Sequence, residues 1–274
     1  MQIFDQHLHS WNSFDCKTPP ADNVRHAIDV GLAGLTFTEH FDTHPSEWDG
    51  CVYDDAKIER ELHELREQFG NRIFVGKGIE VCYQPERMDF ILDFLNAHSF
   101  DVVLLSVHWA DGKAVHLQSQ FKGMTCDEYL RFYLEAVRDC TGHLVRMKRD
   151  GYQPFHVLGH LDYAKRSALR FFGFDGRLNE PALIDEILRN CLDAGIVPEI
   201  NTSTLRQGLS SSMPGIEVVQ RYAELGGTMM SFGSDAHRAE DIGAGSEHAL
   251  GLMRDAGLTH LACYKGGRIC ATAL

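Results

Sequence analysis

Short apolar runs alternate with amphipathic stretches along the whole chain. The runs are Ile3–Leu8, Gly34–Thr38, Ile73–Val75 with Ile79 beyond, Val102–Val107, Phe155–Leu158, Ile196–Ile200 and Thr228–Phe232. Each has the length of a strand. Between them, Asp54–Phe69, Asp127–Met147 and Pro181–Ala194 carry apolar residues at helical spacing. Thr125, with Glu128 three residues on, reads as a capping box at the head of the long helix. Asn179 precedes Glu180-Pro181, and Gly195 follows the last apolar position, so that helix carries both a start and a stop signal. Strand and helix in regular alternation predict an α/β fold with a mostly parallel sheet. Seven such strands predict a closed or nearly closed barrel.

Length narrows the choice. A chain of 274 residues fits one α/β barrel better than two small domains, so a single domain over 1–274 is expected. Lys+Arg 26 against Asp+Glu 39 gives a net charge of −13. That balance argues against long nucleic acid and against an anionic membrane surface as partners. It says little against a small phosphorylated metabolite, because cations inside a pocket reverse the local field. No apolar run is long enough for a membrane span. The eight cysteines form no C-x-x-C pair, so they read as reduced, mostly buried apolar residues. The first residues lack a basic segment followed by an apolar one, and a cytoplasmic location is the expectation.

The chemistry lies where the runs end. In order, these points carry His7 and His9, then His40, Glu80, His108, His160, Glu199-Ile200-Asn201, and Asp235 with His237. In β/α barrels the carboxyl ends of the strands share one rim, so these distant points are expected to meet. His7 and His9 are at i and i+2 on a strand and project from one face, and Asp235 and His237 repeat that spacing. Asp15 lies in the first βα loop and can fold back onto the same rim. Nitrogen and oxygen donors without thiolates suit zinc, iron or manganese.

In the order and spacing of His7-Leu8-His9, Thr38-Glu39-His40, Gly78-Ile79-Glu80, Ser106-Val107-His108, Gly159-His160-Leu161-Asp162, Glu199-Ile200-Asn201-Thr202-Ser203 and Gly233-Ser234-Asp235-Ala236-His237, the sequence resembles the PHP (polymerase and histidinol phosphatase) family. Within it, the resemblance is to the monofunctional histidinol-phosphatase branch. It implies a distorted TIM-like (β/α)7 barrel holding two to three divalent transition-metal ions. By motif, His7, His9, Glu80 and Asp235 would surround the first. Glu80 would bridge to a second, completed by His108 and His160. His40, His237 and Asp15 would hold a third, Asp15 standing where relatives often have histidine.

The implied activity is phosphomonoester hydrolysis by a metal-bridging hydroxide, with Glu80, Asp235 and His237 at the reacting centre. The substrate implied is L-histidinol phosphate, releasing L-histidinol and phosphate in histidine biosynthesis. Nucleotides, oligonucleotide ends or another small phosphate form the alternative, and a non-catalytic metal-binding protein a further one. Candidate phosphate donors are Lys165, Arg166 and Arg206, with Asn201 as a ligand holder or turn cap. Glu39, Asp162 and Glu199 read as groups that orient histidines, and Asp42, Asp111 or Glu199 as partners for a cationic amine. Of the remaining histidines, His44 and His116 lie in loops that could reach substrate. Phe171-Phe172 reads as loop packing, and Arg146-Met147-Lys148-Arg149 as a solvated helix end.

Overall fold

Strands β1 (Phe4–Leu8), β2 (Gly34–Phe41), β3 (Phe74–Cys82), β4 (Val102–Ser106), β5 (Val157–Leu158), β6 (Val197–Asn201), β7 (Met229–Gly233), β8 (His260–Ala262) and β9 (Thr272–Ala273) follow one another in the sheet in chain order. The structure, a computed structural model, describes residues 2–46 and 51–274. From β1 to β8 every neighbouring pair is parallel, and β9 returns antiparallel to β8. The sheet curls until β1 meets the segment after β7. There the Asp235 N–H donates to His7 O at 2.7 Å and the His9 N–H to Ala236 O at 2.9 Å. Leu8 and Ala236 form the parallel bridge that joins the two edges. This is a distorted TIM-like barrel, with β8 and β9 added outside the expected seven strands.

Both faces of the strands are covered, which accounts for runs without polar alternation. On β4, Val103 and Leu105 pack outward into the main core beneath the helices. Val102 and Leu104 point the other way and join Val157, Val197, Ala262 and Tyr264 in a separate apolar cluster. Val102, Val157 and Val197 begin their strands, and the cluster plugs that end of the lumen. At the carboxyl ends the lumen turns polar. Gly233 is required at that level, since a Cβ there would strike the Glu199 carboxylate and the His7 side chain.

Helices α1 (Pro20–Asp29), α2 (Asp55–Phe69), α3 (Met88–Ala97), α4 (Cys126–Arg149), α5 (Ala164–Phe172), α6 (Pro181–Ala194), α7 (Ser203–Arg206), α8 (Ile216–Glu224) and α9 (Ser246–Asp255) fill the crossovers. The capping box is present as expected: Thr125 Oγ1 takes the Glu128 N–H while Glu128 reaches back to the Thr125 N–H. The start of α6 departs from expectation. Glu180, not Asn179, is the cap residue, and no side chain bonds the first turn, where Pro181 needs no N–H partner. Gly195 closes that helix in the left-handed conformation. Phe171 and Phe172 end α5 rather than lying in a loop, with both rings near Tyr129. All eight cysteines are free. Among the described residues no helix is long and apolar enough to cross a membrane.

Candidate metal centre

The carboxyl ends of β1 to β7 converge on one carboxylate. Glu80 lies within β3, one turn of pleat before its end, and is buried. Its Oε1 is 3.0 Å from His160 Nε2 and 3.4 Å from both His7 Nε2 and His108 Nε2. Its Oε2 is 2.9 Å from His40 Nδ1 and 3.6 Å from His9 Nε2. Five imidazoles from β1, β2 and the segments after β4 and β5 therefore face one acid. Burial alone would push Glu80 up, but His7, His108 and His40 overcome it and hold the carboxyl well below its usual range.

Asp235 closes the other side. Its Oδ1 lies 3.6 Å from His9 Nε2, 3.9 Å from His7 Nε2 and 3.6 Å from His237 Nδ1. The backbone of Asp235 is left-handed, φ 53°, a conformation Asp tolerates better than most residues. The two hydrogen bonds that close the barrel on either side of it hold it there. Asp15 Oδ2 stands 3.1 Å from His237 Nε2 and 3.5 Å from His40 Nε2. Those two imidazoles hold the Asp15 carboxyl below its usual range although burial acts against them.

The donor set fits divalent cations. Two ligands about 2.0–2.2 Å from one tetrahedral ion stand roughly 3.3–3.6 Å apart, and the contacts around Glu80 and Asp235, from 2.9 to 3.9 Å, bracket that spacing. His7 Nε2, His9 Nε2, His40 Nδ1 and Glu80 Oε2 are buried without a hydrogen-bond partner, as lone pairs awaiting a cation would be. Among the described residues five sets bring their donor atoms within 4.8 Å of one another: His7, His9 and Glu80; His7, His160 and Asp235; Glu80, His108 and His160; His9, His40 and His237; and His40, Asp42 and His108. Behind them, Glu199 Oε1 takes the Nδ1–H of His7 at 2.7 Å and Asp42 Oδ2 that of His108 at 3.0 Å. Each bond leaves the Nε2 lone pair free to face Glu80. His160 differs, because its Nδ1 has no hydrogen-bond partner.

A cavity of about 270 Å³ opens over this cluster, lined by Asp15, His40, Glu80, His108, His160, Asp235 and His237 together with Phe14, Asp42, His116, Tyr163, Arg166 and Arg170. Of the four expected phosphate-side residues, the structure brings only Arg166 here, its Nη1 4.0 Å from Asp235 Oδ2. Lys165 is buried the other way, its Nζ 2.8 Å from Ser211 Oγ and 3.4 Å from Asp162. The Arg206 guanidinium is tied to Ser234 O at 2.7 Å and faces Asp241. Asn201 accepts the Ser203 N–H and hydroxyl and so caps its own turn. These three do not line the cavity.

The acids sort in the same way. Glu199 lies beneath His7 and takes the His160 N–H, out of reach of an amine, and Asp111 lines a different groove. Asp42 does line the cavity, but its carboxylate is turned to His108. Glu39 accepts from Ser10 and Ser13, while Asp162 faces Lys165 rather than a histidine. Arg170 and Tyr163 were missed in the sequence, although the i, i+4 spacing of Arg166 and Arg170 places them on one helix face. His116 lines the cavity as its loop position allowed, whereas His44 stacks on Trp109.

Residues 5–203 match the model of the PHP domain. The chain belongs to the PHP domain family. Over 264 residues this PHP domain protein is 30% identical to a probable histidinol-phosphatase of Clostridium acetobutylicum, covering 93% of this chain and 94% of the relative. It is 26% identical to the histidinol-phosphatase of Lactococcus lactis subsp. lactis over 281 residues, 98% of this chain and 97% of that one. The crystal structure of histidinol phosphate phosphatase from Lactococcus lactis, complexed with zinc, L-histidinol and phosphate, superposes with a TM-score of 0.86 at 25% identity, covering 98% of this chain and 99% of that one.

Proposed function

We propose that this PHP domain protein is a metal-dependent phosphomonoesterase, a histidinol-phosphatase that hydrolyses L-histidinol phosphate to L-histidinol and phosphate. The observation that carries this reading is Glu80, set among five imidazoles at the base of a small cavity with Arg166 at its wall. The near full-length similarity to proteins of that name supports the substrate. His7, His9, Glu80 and Asp235 would hold one ion, Glu80, His108 and His160 a second, and His40, His237 and Asp15 a third, as zinc, iron or manganese. Bound there, such ions polarise a phosphoryl group and make a water nucleophilic near neutral pH.

The chain's own groups do the rest. Arg166, cationic and beside Asp235, is placed to take two phosphoryl oxygens at once. Asp235 and His237 face the same space as Arg166, where the phosphoryl group would sit. Glu199 and Asp42 fix the His7 and His108 rings, so that the reacting geometry is set before substrate arrives. Phe14, Tyr163 and His116 wall the cavity with rings against which a flat leaving group can pack.

A cavity of about 270 Å³ admits a small metabolite, and a net charge of −13 offers no track for a long nucleic acid or an anionic membrane. We read all 274 residues as one domain and its place as the cytoplasm. The test is phosphate release from L-histidinol phosphate, several nucleoside monophosphates and an aryl phosphate, with and without prior chelation. A kcat/KM at least tenfold higher for histidinol phosphate, lost on chelation and restored by zinc or manganese, is expected. A preference below tenfold, about 1.4 kcal/mol in transition-state binding, would remove the named substrate. Activity unaffected by chelation would remove the mechanism.

A further inference from the structure

Residues 260–273 fold back on themselves about Gly266-Gly267, whose φ values of 54° and 69° are those of a two-residue hairpin turn. Beside the turn, Tyr264 pairs with Ile269 and Lys265 with Arg268. Farther out, His260 pairs with Ala273 and Leu261 with Thr272. Both flanks share one register, and continuing it through the middle sets Cys263 directly opposite Cys270. The Cys270 N–H donates to Cys263 O at 2.6 Å, which marks a hydrogen-bonded pair. Such pairs have Cα atoms about 5.5 Å apart, inside the range of about 4.4–6.8 Å found for disulfides. Their side chains leave the ladder on the same face.

The two thiols differ in setting. Cys263 is buried and its Sγ is turned across the ladder onto Cys270 O. Cys270 is exposed, its Sγ 3.8 Å from Arg268 O. Exposure leaves the Cys270 sulfur open to a reagent from solvent, whereas the Cys263 sulfur is covered. Burial, then the neighbouring Cys270, push the Cys263 thiol up to about 11, so Cys270 is the group that reacts first.

We propose that Cys263 and Cys270 are an oxidant-responsive modification site that closes into a reversible cross-strand disulfide. The oxidant is a small disulfide such as glutathione disulfide. Cys270 thiolate attacks one of its sulfurs and expels one small thiolate. Cys263 then gives up its proton, attacks the mixed disulfide at Cys270 and expels the second. Two protein thiols are oxidised by two electrons while one small disulfide is reduced to two thiols. The bridge ties together the hairpin whose Tyr264 ring plugs the lumen. Both backbone groups of Tyr264 are held by the Gln6 side-chain amide, at 2.7 and 2.8 Å, one residue before His7. A bridge across a hydrogen-bonded pair is strained, which makes it readily reducible.

The purified full chain is equilibrated with glutathione disulfide, quenched by alkylation and analysed by intact mass and peptide mapping. Expected are a loss of two of the eight alkylatable thiols, a 263–270 linked peptide, and full reversal by dithiothreitol. The exposed-site variant Cys270→Ser should fold and retain all seven remaining thiols. Eight free thiols after equilibration with excess glutathione disulfide, a stable glutathione adduct on Cys270 that Cys263 never displaces, or a bridge between other cysteines would overturn the proposal. Phosphatase activity has no part in this readout.

Discussion

Ser13 Oγ lies 3.0 Å from His9 Nδ1 and joins that imidazole to the buried carboxylate of Glu39, 2.5 Å beyond. The hydroxyl has a single proton, and an ionised Glu39 can only accept it. Ser13 must therefore accept the Nδ1–H of His9, as it accepts the His40 N–H at 3.1 Å. The tautomer that follows leaves the His9 Nε2 lone pair facing Glu80 and Asp235. Burial, then the neighbouring His40 and His237, push His9 down to about 3, in keeping with that free lone pair.

Ser13→Ala is expected to weaken zinc binding about 10–100-fold, measured by competition with a chromogenic chelator. Ser13→Thr, which keeps the hydroxyl, should restore most of the loss. An affinity unchanged in the alanine variant would show that the ring needs no such support.

Glu80→Gln removes the charge shared by the whole cluster while leaving its shape. Fewer metal ions per chain by elemental analysis are expected, with a fall in kcat/KM of about 10³-fold, near 4 kcal/mol. Full metal content with near-normal turnover would argue against a central role for this carboxylate.

Lys165 and Arg166 are neighbours with opposite expected phenotypes. Arg166→Ala should fold normally and lower kcat/KM about 10–100-fold, the loss of a charge-assisted contact worth roughly 1.5–3 kcal/mol. Lys165→Ala strips the partner from buried Asp162 and should lower unfolding free energy by about 3–5 kcal/mol, with catalysis of the surviving fold little changed. Denaturant titration alongside kinetics separates them, and equal kinetic defects would refute the division.

His156 gives the fold an acid sensitivity unrelated to the metal cluster. Burial pushes this imidazole down to about 4 from 6.5, and its Nδ1 accepts the Val103 N–H at 2.9 Å, which only the neutral ring can do. Between pH 6.5 and 4 the unfolded chain binds the proton more readily, so stability falls as pH falls through that window and levels off below it. The full difference is about 3 kcal/mol. His156→Gln should flatten the wild-type stability curve between pH 7 and 4.5 by a large part of that amount. Parallel curves for the two proteins would show that the ring carries no such penalty.

Much of this site was legible in the sequence because strands impose a period of two. His7 with His9, and Asp235 with His237, fall on one face whatever surrounds them, and parallel strands send their ends to one rim. The partners behind the metal-facing side chains were partly hidden, since Ser13 and Asp42 reach His9 and His108 from loops with no periodicity to follow. The phosphate-side residues failed for another reason. Adjacent residues on a helix differ by about 100° in direction, and sequence alone does not fix which of Lys165 and Arg166 looks into the barrel. Arg206 looked free because its acceptor, Ser234 O, belongs to the backbone of a distant loop.

The seam between Leu8 and Ala236 gives the centre a place in the order of folding. Ligands from the two edges of the curled sheet become neighbours only when its last parallel strands have wrapped round to the first, a long-range closure that comes slowly. A chain lacking the segment after β7 has His7, His9 and Glu80 but neither Asp235 nor His237. The ion positions that draw on Asp235 and His237 are thus completed only in a chain whose two sheet edges have met.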